Sequence, residues 1–170
     1  MGLLESIERT VFLGEEFLTW LWYRSENNPN LDLAKLGQIQ IQIAQPLTLR
    51  GDEGADATLV TLKGDRAGAS AEARAALREG KKLWKCRAIF KQGDLAWPCA
   101  LNADALAIAS LGLPVPRGVP MPDGLLMRAE KLEEFTQLLF AVFEQFLELR
   151  LRDKNWDKTE KAIKDWVAGE

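Results

Sequence analysis

Residues 11–24, VFLGEEFLTWLWYR, constrain this chain more than any other stretch. On a helix at 100° per residue, Leu13, Phe17, Trp20 and Leu21 share one stripe. Val11, Leu18 and Trp22 form a second stripe roughly 120° away, and Glu8, Glu15, Glu16 and Thr19 hold most of the remaining arc. A surface helix usually shows an apolar stripe of about 100°, and this one is about twice as wide. It therefore needs cover from two directions. One side is expected to meet its own sheet; the other meets either a second helix or a partner chain. Val11, Leu18 and Trp22 are accordingly interface candidates.

The following 145 or so residues read as strands first and helices last. Asn27-Asn28-Pro29-Asn30 stops the first helix, because proline lacks an N–H and asparagine favours turns. Ile39, Ile41 and Ile43 then alternate with Gln38, Gln40 and Gln42, the period-2 signature of a strand with one buried and one wet face. Pro46 is expected to break or bulge that strand, with Leu47–Arg50 continuing it and Thr58–Lys63 forming the next. Residues 64–69 read as a Gly/Ala linker, Ser70 as the cap of a short helix at 70–80, and Gly80 as its left-handed terminator.

Residues 83–91 and 95–101 form a hairpin. Trp84, Cys86, Ala88 and Phe90 share one face and Lys85, Arg87 and Lys91 the other. A turn at Gln92-Gly93 sets Cys86 opposite Cys99, and a turn at Gly93-Asp94 sets Cys86 opposite Leu101; the glycine favours the second. Either way the two cysteines read as buried, reduced thiols, with a redox switch as the other reading.

The stretch 110–124 carries Pro114, Pro116, Pro120 and Pro122, which makes a stiff, extended loop able to dock on the protein body or on a partner. Pro114, Pro116 and Pro120 join the interface candidates. Asp123 is placed to cap a long helix over about 124–152, whose apolar positions Leu132, Phe135, Leu139, Val142, Phe146 and Leu149 are widened by Leu125, Phe143 and Leu147. A last helix at 156–167 presents Trp156, Ile163 and Trp166. The expected fold is a single α+β domain over 1–170, with an antiparallel sheet of about five strands packed against two long helices.

Composition removes many chemistries. The chain has no histidine and only two cysteines, so histidine bases, Ser-His-Asp and Cys-His systems and four-ligand zinc sites are out. No phosphate-binding loop, dinucleotide fingerprint or nucleophile elbow occurs. Asp52, Glu53 and Asp56 sit in an acidic loop, but their spacing matches no calcium-loop pattern, and neither metal nor cofactor is expected. No basic N-terminal region precedes an apolar run and no apolar stretch is long enough to span a bilayer, so no signal peptide and no membrane anchoring are expected.

Charge is unevenly spread. Net charge is −3, yet residues 66–91 hold eight basic and two acidic side chains. Arg78, Lys81, Lys82, Lys85, Arg87 and Lys91 are the nucleic-acid-binding candidates, suited to salt-sensitive, sequence-independent phosphate contacts on duplex DNA. The competing reading is that these side chains solvate the sheet and protect its edge.

Four stretches resemble RdgC-type recombination-associated proteins: FLGEEFLTWLWYRSE (12–26), ALREGKKLWKCRAIF (76–90), DLAWPCALNADAL (94–106) and FLELRL (146–151) with Trp156 and Trp166 after it. The resemblance covers most of the chain and is to the C-terminal part of the longer bacterial versions. It implies a cytoplasmic, non-enzymatic homodimer that closes a positive ring around duplex DNA without sequence preference and limits recombinase loading. A second copy or a partner protein would supply the missing half. The alternative function is a protein-interaction or oligomerisation module with no DNA binding of its own.

Overall fold

The computed structural model describes residues 3–51, 59–63, 66–152 and 155–169, with side chains described from Leu13 onward and, in the second helix, from Ala71. The elements, in chain order, are α1 (Leu3–Asn27), β1 (Asn30–Leu33), β2 (Gly37–Arg50), β3 (Leu59–Leu62), α2 (Arg66–Arg78), β4 (Lys82–Gln92), β5 (Leu95–Asn102), a 3-10 turn (Asp104–Leu106), β6 (Ala107–Ala109), α3 (Asp123–Leu151) and α4 (Trp156–Ala168). The architecture is the expected α+β. Among the described residues the antiparallel sheet has six strands, in the order β1-β2-β4-β5-β6, with β3 pairing the far half of β2.

β1 and β6 are the strands the periodicity missed. Four and three residues are too short to show alternation. Leu31 and Leu33 of β1 nevertheless point into the core.

Helix starts also differ from expectation. α2 begins at Arg66, so Ser70 lies inside it rather than capping it; the Ala-rich run 67–76 has enough helix propensity to extend the helix upstream. Gly80 does end that region in the left-handed conformation, at φ +88°. Pro122 occupies the N-cap of α3, and Asp123 is its first helical residue with no side-chain capping bond. Asp52, Glu53 and Asp56 lie outside the described residues.

The hairpin turns at Gly93-Asp94. Gln92 pairs with Leu95 and Cys86 with Leu101, the register the glycine favoured. Around Pro46 the pairing of β2 with β4 slips between Ala44 and Thr48, as a proline that cannot donate to the ladder requires. A second slip follows immediately: Thr48 pairs with Lys85 but Leu49 with Leu83, leaving Trp84 as the extra residue of a bulge. Leu83 therefore takes the core position and is fully buried, while Trp84 leaves the face of Cys86, Ala88 and Phe90 and stays half-exposed. Strand parity shifts here because the bulge adds a residue to β4.

The apolar width of α1 is absorbed within the subunit. Phe17 meets Phe143 and Phe146 at 5.0 and 5.4 Å between ring centroids, and Trp20 meets Phe146 at 5.6 Å. Trp22 of the second stripe is covered by α4: Trp166 stands edge-on to it at 4.9 Å. Glu26 accepts from both indoles, with Trp22 Nε1 at 2.8 Å and Trp166 Nε1 at 3.0 Å. Leu18 and Trp22 are thus core residues, 0% and 2% exposed, and not interface residues. The side chain of Val11 lies outside the described residues. The proline-rich loop docks on its own sheet: Gly112 N–H donates to the Pro98 carbonyl at 2.7 Å, and Leu111 and Leu113 pack against the core. Pro114 is half-buried there, while Pro116 and Pro120 remain exposed.

Candidate nucleic-acid interface

The alternation of β2 and β4 builds one face of the sheet from polar and small residues. With Ile39 and Ile41 buried, Gln38 and Gln40 point outward and Gln42 is half-buried. The register then lays Lys91 beside Gln40, Ile89 beside Gln42, Arg87 beside Ala44 and Lys85 beside Thr48. On the β5 side the same residues meet Ala96, Pro98, Ala100 and Asn102. Arg87 therefore stands between two alanines, and its side chain is exposed. At about 3.3 Å per residue, Lys85 and Arg87 are about 7 Å apart and Lys85 and Lys91 about 20 Å apart along one strand.

These three cations differ electrostatically from their chain neighbours Lys81 and Lys82, each of which meets a glutamate. None of Lys85, Arg87 and Lys91 has a carboxylate partner among the described residues; Lys85 Nζ instead lies 3.8 Å from the centroid of the Trp84 ring. An ammonium over an indole keeps its full charge and stays available to an anion.

The structure does not place all six sequence candidates on that face. Lys81 bonds Glu79 at 3.0 Å, and Lys82 Nζ lies 3.7 Å from Glu15. Arg78 and Lys82 line a cleft of ≈ 530 Å³ between α1, α2 and α4 that also holds Glu15, Glu16 and Glu160. Carboxylates in that number neutralise the cations around them, so the cleft is not a phosphate track.

Sequence reasoning missed the junction that holds the cationic strand in place. Glu15, only 7% exposed, accepts from Arg50 Nη2 at 2.9 Å, and the same nitrogen reaches Asp104 Oδ1 at 3.2 Å. Trp84 Nε1–H donates to Asp104 Oδ2 at 2.7 Å, and the Arg50 guanidinium lies 5.1 Å from the Trp84 ring centroid. Burial works to lower the Arg50 pKa, but the hydrogen bond and charge of Glu15, with Asp104 behind them, outweigh it and raise the value. The signal was the charged pair Glu15-Glu16 inside an apolar helix; Arg50, 35 residues from Glu15, and Asp104, which Arg50 also meets, carried none. Changing Glu15 to Ala leaves Arg50 with the single carboxylate of Asp104. Losing one partner of a buried pair costs about 3–5 kcal/mol, and the 20% exposure of the Arg50 side chain brings the expected loss to about 1–2 kcal/mol. A urea midpoint unchanged in Glu15→Ala would show that this junction does not support the strand.

The remaining chemistry is sparse. Cys86 and Cys99 are free and buried; burial pushes the Cys99 thiol up to about 12 and Cys86 higher still, with Cys99 adding to the effect. Among the described residues no group of three or more Cys, Asp or Glu side chains gathers to hold a metal ion, and no helix is long and apolar enough to cross a membrane. Comparisons of the chain with protein-family profiles, curated proteins and solved structures find no match.

Proposed function

We propose that this protein is a non-enzymatic, cytoplasmic DNA-binding accessory of recombination, similar in role to the RdgC-type proteins its sequence resembles, and that it contacts duplex DNA through the outer face of β2, β4 and β5 without reading sequence. The observation that carries the reading is the set Lys85, Arg87 and Lys91: three cations of one parity on one strand, with Ile89 between the last two, free of carboxylate partners among the described residues and set among glutamines and alanines. Phosphates need only positive charge at intervals along a groove or ridge, and side-chain amides add neutral donors between those charges. The acidic balance of the rest of the chain confines the contact to this face. A second copy or a partner protein would extend the track.

Fluorescence anisotropy with a labelled duplex at two or more salt concentrations tests this. Each phosphate contact adds about 0.9 to the salt slope, so Lys85→Gln, Arg87→Gln and Lys91→Gln together are expected to flatten it by about 2.7. Arg78→Gln with Lys81→Gln is expected to change it little. An absence of binding at low salt, or a triple variant with the wild-type slope, would sink the proposal.

The second reading, a protein-interaction module, is favoured by a different observation: α3 leaves a row of large apolar side chains in water.

A further inference from the structure

α3 carries two apolar stripes, and the second is used only at its C-terminal end, where Phe143 packs against Phe17. Phe135, Leu138, Val142 and Phe146 are buried against the domain. Leu125, Ala129, Leu132, Thr136, Phe140 and Phe143 follow each other at three- and four-residue steps about 100° away. Of these, Leu125, Leu132 and Phe140 are 57%, 48% and 65% exposed, and neighbouring Leu126 is 62% exposed. Beside this stripe runs a groove of ≈ 290 Å³ between α3, α1 and the β5–β6 end of the sheet, lined chiefly by Phe17, Leu106, Ile108, Leu139, Phe140 and Phe143. Scattered surface leucines need no explanation, but a continuous row of this length beside an apolar groove marks a docking site.

We infer that this stripe and groove receive an amphipathic helix from another protein, with apolar anchors at i, i+4 and i+7 and lysine or arginine along one border. The site is separate from the cationic sheet face and does not depend on the DNA reading. From Leu125 to Phe143 the stripe is about 27 Å long, which suits a helix of four to five turns laid alongside. Charge identifies the occupant. The border of the stripe away from the domain carries Glu133 and Glu144, and no basic residue falls on that border between them. Among the described residues Glu133 is bonded only to Gln137, at 3.3 Å, and Glu144 has no partner. The cations of α3 are directed elsewhere: Lys131 bonds Glu134, Arg150 bonds Glu16 on α1, and Arg128 lies on the Phe135 and Leu139 side. A second copy of this chain fits less well. A two-fold pair of antiparallel helices lays each border against itself, which would bring the Glu133 and Glu144 borders together with no cation between them. A basic amphipathic helix meets the same border with opposite charge.

The test uses the full chain and an 18-residue synthetic helix with leucine at i, i+4, i+7 and i+11 and lysine along one border, with a scrambled peptide and a glutamate-for-lysine peptide as controls. The lysine peptide is expected to bind by fluorescence titration, and both controls to bind at least tenfold more weakly. Phe140→Glu with Leu132→Glu is expected to weaken binding at least tenfold while leaving the circular-dichroism melt and the DNA titration as in wild type. Glu133→Gln with Glu144→Gln is expected to weaken it about threefold at low salt and less at high salt. Equal binding of the lysine and glutamate peptides overturns the charge argument, and binding no better than the scrambled control overturns the site. A wild-type dimer in light scattering that Phe140→Glu converts to a monomer would assign the stripe to a second copy instead.

Discussion

Gly14→Ala is expected to destabilise the protein by at least about 3 kcal/mol, although alanine is the better helix former by about 1 kcal/mol. Gly14 lies in the middle of α1 and is buried. A Cβ at that position would fall inside the Ala103 carbonyl oxygen and only 2.9 Å from the carbonyl carbon. The obstacle is backbone, so no rotamer change relieves it. Ala103 is also pinned: it is fully buried, and its N–H donates to the Trp84 carbonyl at 2.8 Å. Either α1 must lift off the end of β5 or the β5 end must leave Trp84. Lifting α1 unpacks Phe17 and Leu18, both buried next to Gly14 in the chain. Urea unfolding followed by tryptophan fluorescence measures the loss. A Gly14→Ala protein as stable as wild type would mean that α1 does not approach the sheet this closely.

Raising the pH is expected to unfold the protein through its two thiols. An unfolded cysteine ionises near pH 8.5. In the folded protein burial holds the Cys99 thiol up at about 12, and Cys86, desolvated and beside Cys99, is raised further. Between those values the folded state keeps protons that the unfolded state has released. Stability is therefore full below about pH 8.5 and falls as pH rises, by about 1.4 kcal/mol per pH unit for each thiol. With both thiols the slope reaches about 2.7 kcal/mol per unit, and by pH 10.5 the loss is about 5 kcal/mol, comparable to the whole stability of an ordinary domain. Urea midpoints measured under reducing conditions from pH 8 to 10.5 test this. Changing Cys86 and Cys99 both to Ala should remove the slope, and an unchanged slope in that variant would refute the mechanism. The same burial should make both thiols resist alkylation until the chain unfolds.

Periodicity read well wherever a segment was long and uninterrupted. Ile39 and Ile41 are buried and Gln38 and Gln40 exposed because a strand side chain has only two directions to point. The β4–β5 register followed from Gly93, since one turn residue with φ +56° sets every pair behind it. Trp84 shows the limit: one extra residue in the bulge exchanged it with Leu83, and no feature of KLWKCRAIF announces that exchange. The candidate site was legible in the same uneven way. Lys85, Arg87 and Lys91 share a face because they share a parity, whereas Arg78, Lys81 and Lys82 were grouped with them only by proximity in the chain.

By itself the sequence determined the kinds of elements, their faces and the chemistries excluded, because these depend on contacts within a few residues. The tertiary structure alone decided what covers the second stripe of α1, which carboxylates meet which cations, and which apolar stripe of α3 stays in water. Trp22 is hidden by Trp166, and Glu16 is met by Arg150, from more than 130 positions away. Pairings at that separation depend on how whole elements stack, and no local pattern encodes them.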